Sequence, residues 1–118
     1  MKSVQIEELD FQKGDGLIPV IVQEASSGEV LTLAYVNIEA LKQTINTGLA
    51  HYYRRSHRKV MLKGITSGNT QALVEIRTDC DNDALIFRIN QKGPACHLGS
   101  DSCFHALLET RRTLPTEL

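Results

Sequence analysis

Residues 16–48 read GLIPVIVQEASSGEVLTLAYVNIEALKQTINTG. Within that stretch Leu17–Gln23 is apolar and β-branched, the composition of a buried strand. Ser26-Ser27-Gly28 is a turn signal, and Glu29–Val36 reads as a second strand, so the two make a hairpin. The pattern then changes period. Asn37 has the short oxygen-bearing side chain of a helix N-cap. Ile38, Leu41 and Ile45 follow at helical spacing, and Gly48 stands where a C-cap belongs. A hairpin leading into one helix, about residues 37–47, sets the class of the fold.

Working outward, the segment before Gly16 is polar and ends in the turn Gly14-Asp15-Gly16. Beyond the helix, Ala50–Tyr53 reads as a strand and Arg54–Lys59 as a basic loop. Gln71–Thr78 alternates, with Ala72, Val74 and Ile76 on one face and the other face wet. Ala84–Asn90 is a further strand. Gly93-Pro94 and Gly99 bound a loop that holds Cys96 and His97. Cys103–Thr110 fits a strand or a short helix, and Leu114-Pro115-Thr116 reads as a frayed tail. Several strands around one helix predict an α+β fold, a single compact domain over residues 1–118 with mostly antiparallel strands.

The chain has 118 residues, 13 Lys+Arg against 14 Asp+Glu, and a net charge of -1. This balance argues against a nucleic-acid binder, which carries a basic excess. The longest apolar run, Leu17–Val22, is 6 residues, far short of a membrane span. The opening MKSVQIEELDF lacks an apolar signal core. Three cysteines are present, and an odd number suits a reduced compartment with thiolates free to act as ligands. The expectation is a cytoplasmic protein that engages neither membrane nor nucleic acid.

Two features carry chemistry. In Asp79-Cys80-Asp81-Asn82-Asp83, an extended backbone would place Asp79, Asp81 and Asp83 on one face and turn Cys80 to the other. Three carboxylates so close suit a hard divalent cation such as Mg²⁺; the competing reading is a solvated acidic turn. Cys80 lies 16 positions before Cys96, and Cys96 lies 7 before Cys103. All three sit beside polar or turn-forming residues. They read either as buried small hydrophobes or as three thiolates on Zn²⁺, which would leave its fourth tetrahedral position open. His97 would then be the neighbouring base.

The second feature is the basic stretch Tyr52–Lys59, followed by Lys63-Gly64-Ile65-Thr66-Ser67-Gly68. Arg54, Arg55, Ser56 and Lys63 suit phosphate groups, and Thr66, Ser67 and Gly68 add neutral donors. A solvated charged loop, or an RNA-binding patch with stacking tyrosines, is the alternative. His51 reads as packed or hydrogen-bonded, His57 as part of the wet loop and Tyr35 as core. His105 carries no signal.

With these motifs in view, the chain resembles the phosphoribosyl-AMP cyclohydrolase family of histidine biosynthesis. The resemblance rests on Gly16–Gln23, Gly28–Leu31, Leu33–Asn37, Arg55-Ser56, Lys63-Gly64 and Thr66-Ser67-Gly68. Its most specific parts are Asp79–Asp83, Gly93–Gly99 and Ser102-Cys103-Phe104. It implies an interwoven homodimer in which Cys80, Cys96 and Cys103, drawn from both subunits, hold zinc, while Asp79, Asp81 and Asp83 hold magnesium. It implies a hydrolase that opens the N1–C6 bond of the adenine ring of 1-(5-phosphoribosyl)-AMP, with His97 moving the proton. Arg54, Arg55, Ser56, Lys63, Thr66, Ser67 and Gly68 would hold the nucleotide. It also implies that the pyrophosphohydrolase domain fused in some relatives is missing. The family pattern has Trp and Glu where this chain has Met61 and Ile65. Two alternatives follow: a paralogous hydrolase acting on another purine nucleotide, or a non-enzymatic zinc-stabilised dimeric binding module.

Overall fold

The computed structural model describes residues 2–110. The elements are β1 (Ile18–Glu24), β2 (Val30–Val36), α1 (Ile38–Thr47), β3 (His51–Arg54), β4 (Lys59–Leu62), β5 (Gln71–Thr78) and β6 (Leu85–Gln91). Two short 3₁₀ turns, Ile6–Glu8 and Gln12–Gly14, precede them. Four strands form a sheet in the order β2-β1-β6-β5, and β3 and β4 form a separate ribbon.

The hairpin closes at Ala25–Ser27. Gly28 adopts φ 80°, and its N–H donates to Glu24 O at 2.8 Å. Along β1, Ile18, Val20 and Val22 are wholly buried while Ile21 is 41% exposed. Strand alternation, not a continuous buried run, therefore governs this segment. β1 and β2 pair antiparallel and β5 and β6 likewise, but β1 and β6 run parallel from Val20↔Leu85 onward. Pro19 precedes that ladder, so its missing N–H costs no bond to β6.

The helix is capped as its sequence predicts. Asn37 Oδ1 accepts from Ala40 N at 2.8 Å, and Gly48 sits at φ 75° with its N–H on Thr44 O at 2.9 Å. Its buried face differs from the apolar spacing: Ala40, Leu41 and Thr44 are buried, whereas Ile38 and Ile45 are each 47% exposed. The reason lies in Thr44, whose hydroxyl donates to Ala40 O and accepts from His51 N at 2.8 Å each. That polar lock brings α1 down onto β3 along its small residues.

Three further expectations are corrected. β4 is a strand the reading did not include: Lys59–Leu62 pairs with His51–Arg54, so Arg54 and Lys59, the ends of the expected loop, are strand residues and only 55–58 turn. β5 has the bounds expected, but a bulge between Leu73 and Glu75 shifts its phase. Leu73 and Ile76 therefore face buried Ile89 and Phe87, and Val74 is left 50% exposed. Residues 103–110 form neither strand nor helix; Ser102 Oγ and Cys103 N instead clip β2, donating to Val30 O (2.8 Å) and Leu31 O (2.7 Å). The segment before β1 is less polar in effect than in composition, since Ile6, Leu9 and Phe11 pack on the core. Leu114-Pro115-Thr116 lies outside the described residues.

Two glycines separate conformational from steric constraint. Gly68 (φ 79°) has open space where a Cβ would go, whereas at Gly64 (φ 84°) a Cβ would stand 2.5 Å from the Asn69 carbonyl carbon and oxygen. Gly68→Ala should cost about 1–2 kcal/mol, and Gly64→Ala distinctly more. Urea midpoints of the two variants check the order.

Candidate active site

The acidic loop is a tight turn between β5 and β6, the backbone of the competing acidic-turn reading and not the extended one that would alternate its side chains. Asn82 takes a left-handed φ of 60°, and its side chain accepts from Thr78 Oγ1 at 2.7 Å. Asp79 Oδ1 accepts from Asp83 N (3.0 Å) and Ala84 N (3.2 Å). The turn still gathers the three carboxylates: one oxygen each of Asp79, Asp81 and Asp83 lies within 4.8 Å of the others. Lys13 closes the cluster, bonding Asp83 and approaching Asp81 at 3.6 Å. Its ammonium holds the Asp83 carboxyl down to about 2. Asp83 and Asp79 beside Asp81 push that carboxyl up, and Asp83 raises Lys13 in turn. Three converging oxygens with one cation already beside them fit a hard divalent ion.

A cavity of about 630 Å³ lies between β2 and the β3–β4 ribbon, lined by Thr32–Tyr35, Tyr52–Ser56, Lys63, Ala95, His97 and Cys103. Several contacts fold the last loop against it. Lys63 Nζ donates to Ala95 O at 3.1 Å, and Asn69 Nδ2 donates to Pro94 O at 3.3 Å. Gly93 takes a left-handed φ of 69° that favours glycine, and a Cβ there would stand 2.4 Å from Asn69 Oδ1 and push that side chain aside. Tyr52 forms the floor. Its hydroxyl donates to Gln71 Oε1, and its ring stacks on Phe87 with centroids 5.8 Å apart. Burial pushes its pKa up. Over the mouth, the Arg55 guanidinium lies 4.1 Å from the centre of the Tyr35 ring.

The cavity thus brings together Arg54, Arg55, Ser56, Lys63, His97 and Cys103. Thr66, Ser67 and Gly68 are exposed on the following turn and are not among its lining residues. Cys96 is buried beside them, between Ala95 and His97, and Cys103 is exposed. Cys80 is elsewhere, in a second cavity of about 550 Å³ with Val4, Ile76 and Asp79. Among the described residues the three sulfurs do not converge within one chain. Cys80 and Cys103 line different cavities, so one chain alone as described does not assemble a three-thiolate zinc site. His51 is buried and bonds Leu49 O through Nδ1 at 2.8 Å; His57 is exposed.

Sequence reasoning missed Tyr35, Lys13 and Asn69. Tyr35 reads as core, yet it is half-buried at the cavity edge. Lys13 lies 70 positions from Asp83, a contact that no local pattern announces. Asn69 follows a run of turn formers, and its role emerges only from its contact with Gly93.

Residues 32–105 match the family model described as phosphoribosyl-AMP cyclohydrolase. The chain is 57% identical over 102 residues to the phosphoribosyl-AMP cyclohydrolase of Archaeoglobus fulgidus, covering 86% of this chain and 94% of that protein. It is 50% identical over 103 residues to the protein of that name from Desulfatibacillum aliphaticivorans, covering 86% and 82%. It is also 52% identical over 113 residues to the histidine biosynthesis bifunctional protein HisIE of Pyrococcus furiosus, covering 95% of this chain and 54% of that protein. The chain spans about half the length of that bifunctional relative.

The ion pair at the acidic loop has a defined pH signature. Asp83 is depressed in the folded state, so its contribution is present above the unfolded carboxyl value of about 3.9 and fades as pH falls toward 2. In Lys13→Met, the Asp83 carboxyl should titrate closer to the ordinary range, as followed by ¹³C NMR of the metal-free protein.

Proposed function

The chain belongs to the phosphoribosyl-AMP cyclohydrolase family, and from that premise we propose that it opens the adenine ring of 1-(5-phosphoribosyl)-AMP in histidine biosynthesis, adding water across N1–C6. The observation that carries this reading is the cavity in which Arg54, Arg55, Ser56 and Lys63 stand with His97 and Cys103. A nucleotide with two phosphates needs cations at its ends and a proton carrier at its base, and this cavity supplies both kinds of group.

In the proposed site, Cys96 and Cys103 of one protomer with Cys80 of the partner subunit would hold zinc, and Asp79, Asp81 and Asp83 would hold magnesium. Zinc so held would supply the Lewis acidity that makes water nucleophilic near neutral pH. Two features support a homodimer: Cys80 lines a different cavity from Cys103, and large apolar residues stand exposed, among them Leu33 at 49% and Phe104 at 63%. Arg54 and Lys63 bind phosphate oxygens and fix the base within reach of His97. His97 takes a proton from the attacking water as the oxygen bonds to C6. It delivers that proton to N1 as the N1–C6 bond breaks, and the remaining hydroxyl proton passes to the exocyclic nitrogen, leaving a carboxamide at C6 with no group lost. No helix among the described residues is long and apolar enough to cross a membrane, which accords with a cytoplasmic enzyme.

The test is absorbance-monitored ring opening of phosphoribosyl-AMP with zinc and magnesium supplied. Folded, metal-loaded protein that gives no turnover rejects the proposal. Cys96→Ser should lose zinc and activity together. His97→Ala should retain zinc, measured by elemental analysis, and lose roughly 10²–10⁴-fold in turnover.

A further inference from the structure

We propose that Arg55, backed by Tyr35, is the platform on which the substrate's heteroaromatic base stacks; this rests on the nucleotide reading above. The guanidinium lies over the Tyr35 ring, 4.1 Å from its centroid. Arg55 is otherwise exposed, so its planar guanidinium rests on the ring on one side and meets solvent on the other. Its open face accepts a purine ring, and its N–H edge remains available to ring nitrogens. Both residues line the cavity that holds His97 and Cys103, so a base lying on the plate is in the same chamber as the proton carrier.

Of the two tyrosines of β3 that line the cavity, Tyr53 is half-buried and Tyr52 is already engaged. Tyr52 is 6% exposed, its ring is stacked on Phe87 and its hydroxyl is bonded to Gln71. The chain has no tryptophan. Arg54 and Lys63 remain as cations for phosphate, and Lys63 is anchored on Ala95 O at 3.1 Å. This separates two adjacent arginines by role: Arg54 recognises charge, and Arg55 recognises a planar ring. Tyr35 is then a positioning residue that keeps the Arg55 plate flat.

The experiment compares binding of AMP with binding of ribose 5-phosphate, by calorimetry, for the wild type, Tyr35→Phe, Tyr35→Leu and Arg55→Lys. Base stacking on such platforms is worth about 1–3 kcal/mol. Tyr35→Leu and Arg55→Lys should therefore weaken AMP binding by roughly tenfold, and ribose 5-phosphate binding by less than about twofold. Tyr35→Phe, which keeps the ring, should retain wild-type affinity for both. Equal loss for both ligands in Arg55→Lys assigns Arg55 to phosphate and overturns the proposal, as does an unchanged AMP affinity in that variant. If Tyr35→Leu does not fold, the Phe and Lys variants decide the matter alone. Wild-type turnover of phosphoribosyl-AMP is measured alongside. Intact turnover with unaltered binding in the variants overturns the platform only, whereas absent turnover and absent AMP binding overturn the nucleotide reading and the platform with it.

Discussion

One buried amide joins the two sheets. Gln71 is 0% exposed, and its side chain accepts from the Tyr52 hydroxyl and donates to Gln91 Oε1 at 2.8 Å. Its backbone oxygen accepts from Ala50 N at 2.9 Å. Gln91 continues the chain to Asn69 O and Lys92 O, and its own N–H reaches Glu24 Oε1 at 3.0 Å. A buried amide is costly unless fully paired, and here each polar atom of the side chain has a partner. The ribbon β3–β4 makes no ladder with the main sheet. Its orientation over β2, and with it the width of the cavity, therefore depends on this network and on α1 beneath it.

Charge in the molecule is divided, not blended. Net charge is close to zero, yet the carboxylates of 79–83 form one cluster and Arg54, Arg55 and Lys63 line one cavity. Lys13 partly offsets the first cluster. Cys80 lies with the acidic loop, and Cys103 with the basic cavity. The soft donors are thus shared between two regions, each incomplete alone. In the proposed dimer, union between protomers would bring the three sulfurs together.

Local signals were legible and distant ones were not. Asn37, Gly48 and the turn before Glu29 act within a few residues, so capping and turn chemistry located α1 and the hairpin directly. The β5 boundaries also followed from composition. The bulge beyond Leu73 did not, because it answers to the register of β6, and the parallel β1–β6 pairing joins strands more than 60 residues apart. β4 was hidden by its brevity and by the basic residues beside it. The site was legible as residue types, since hard and soft donors are recognisable by chemistry. The split of the cysteines between two cavities depends on topology, which no spacing encodes.

The acidic loop shows what the turn adds to the carboxylate cluster. An extended chain would space the Cα atoms of alternate residues at about 6.5–7 Å and leave side-chain rotation to gather their oxygens. In the turn, with its αL step at Asn82, one oxygen of each of the three carboxylates lies within 4.8 Å of the others. The same turn gives Asp79 two backbone donors, from Asp83 and Ala84, which orient one carboxylate before any ion arrives. Cys80 opens into a separate cavity with Val4 and Ile76. Five consecutive residues thereby carry both oxygen and sulfur donors, and Asp79 belongs to the carboxylate cluster and to the cavity of Cys80 alike. In the proposed enzyme, the contrast between hard carboxylate and soft thiolate donors is what would sort the two metals.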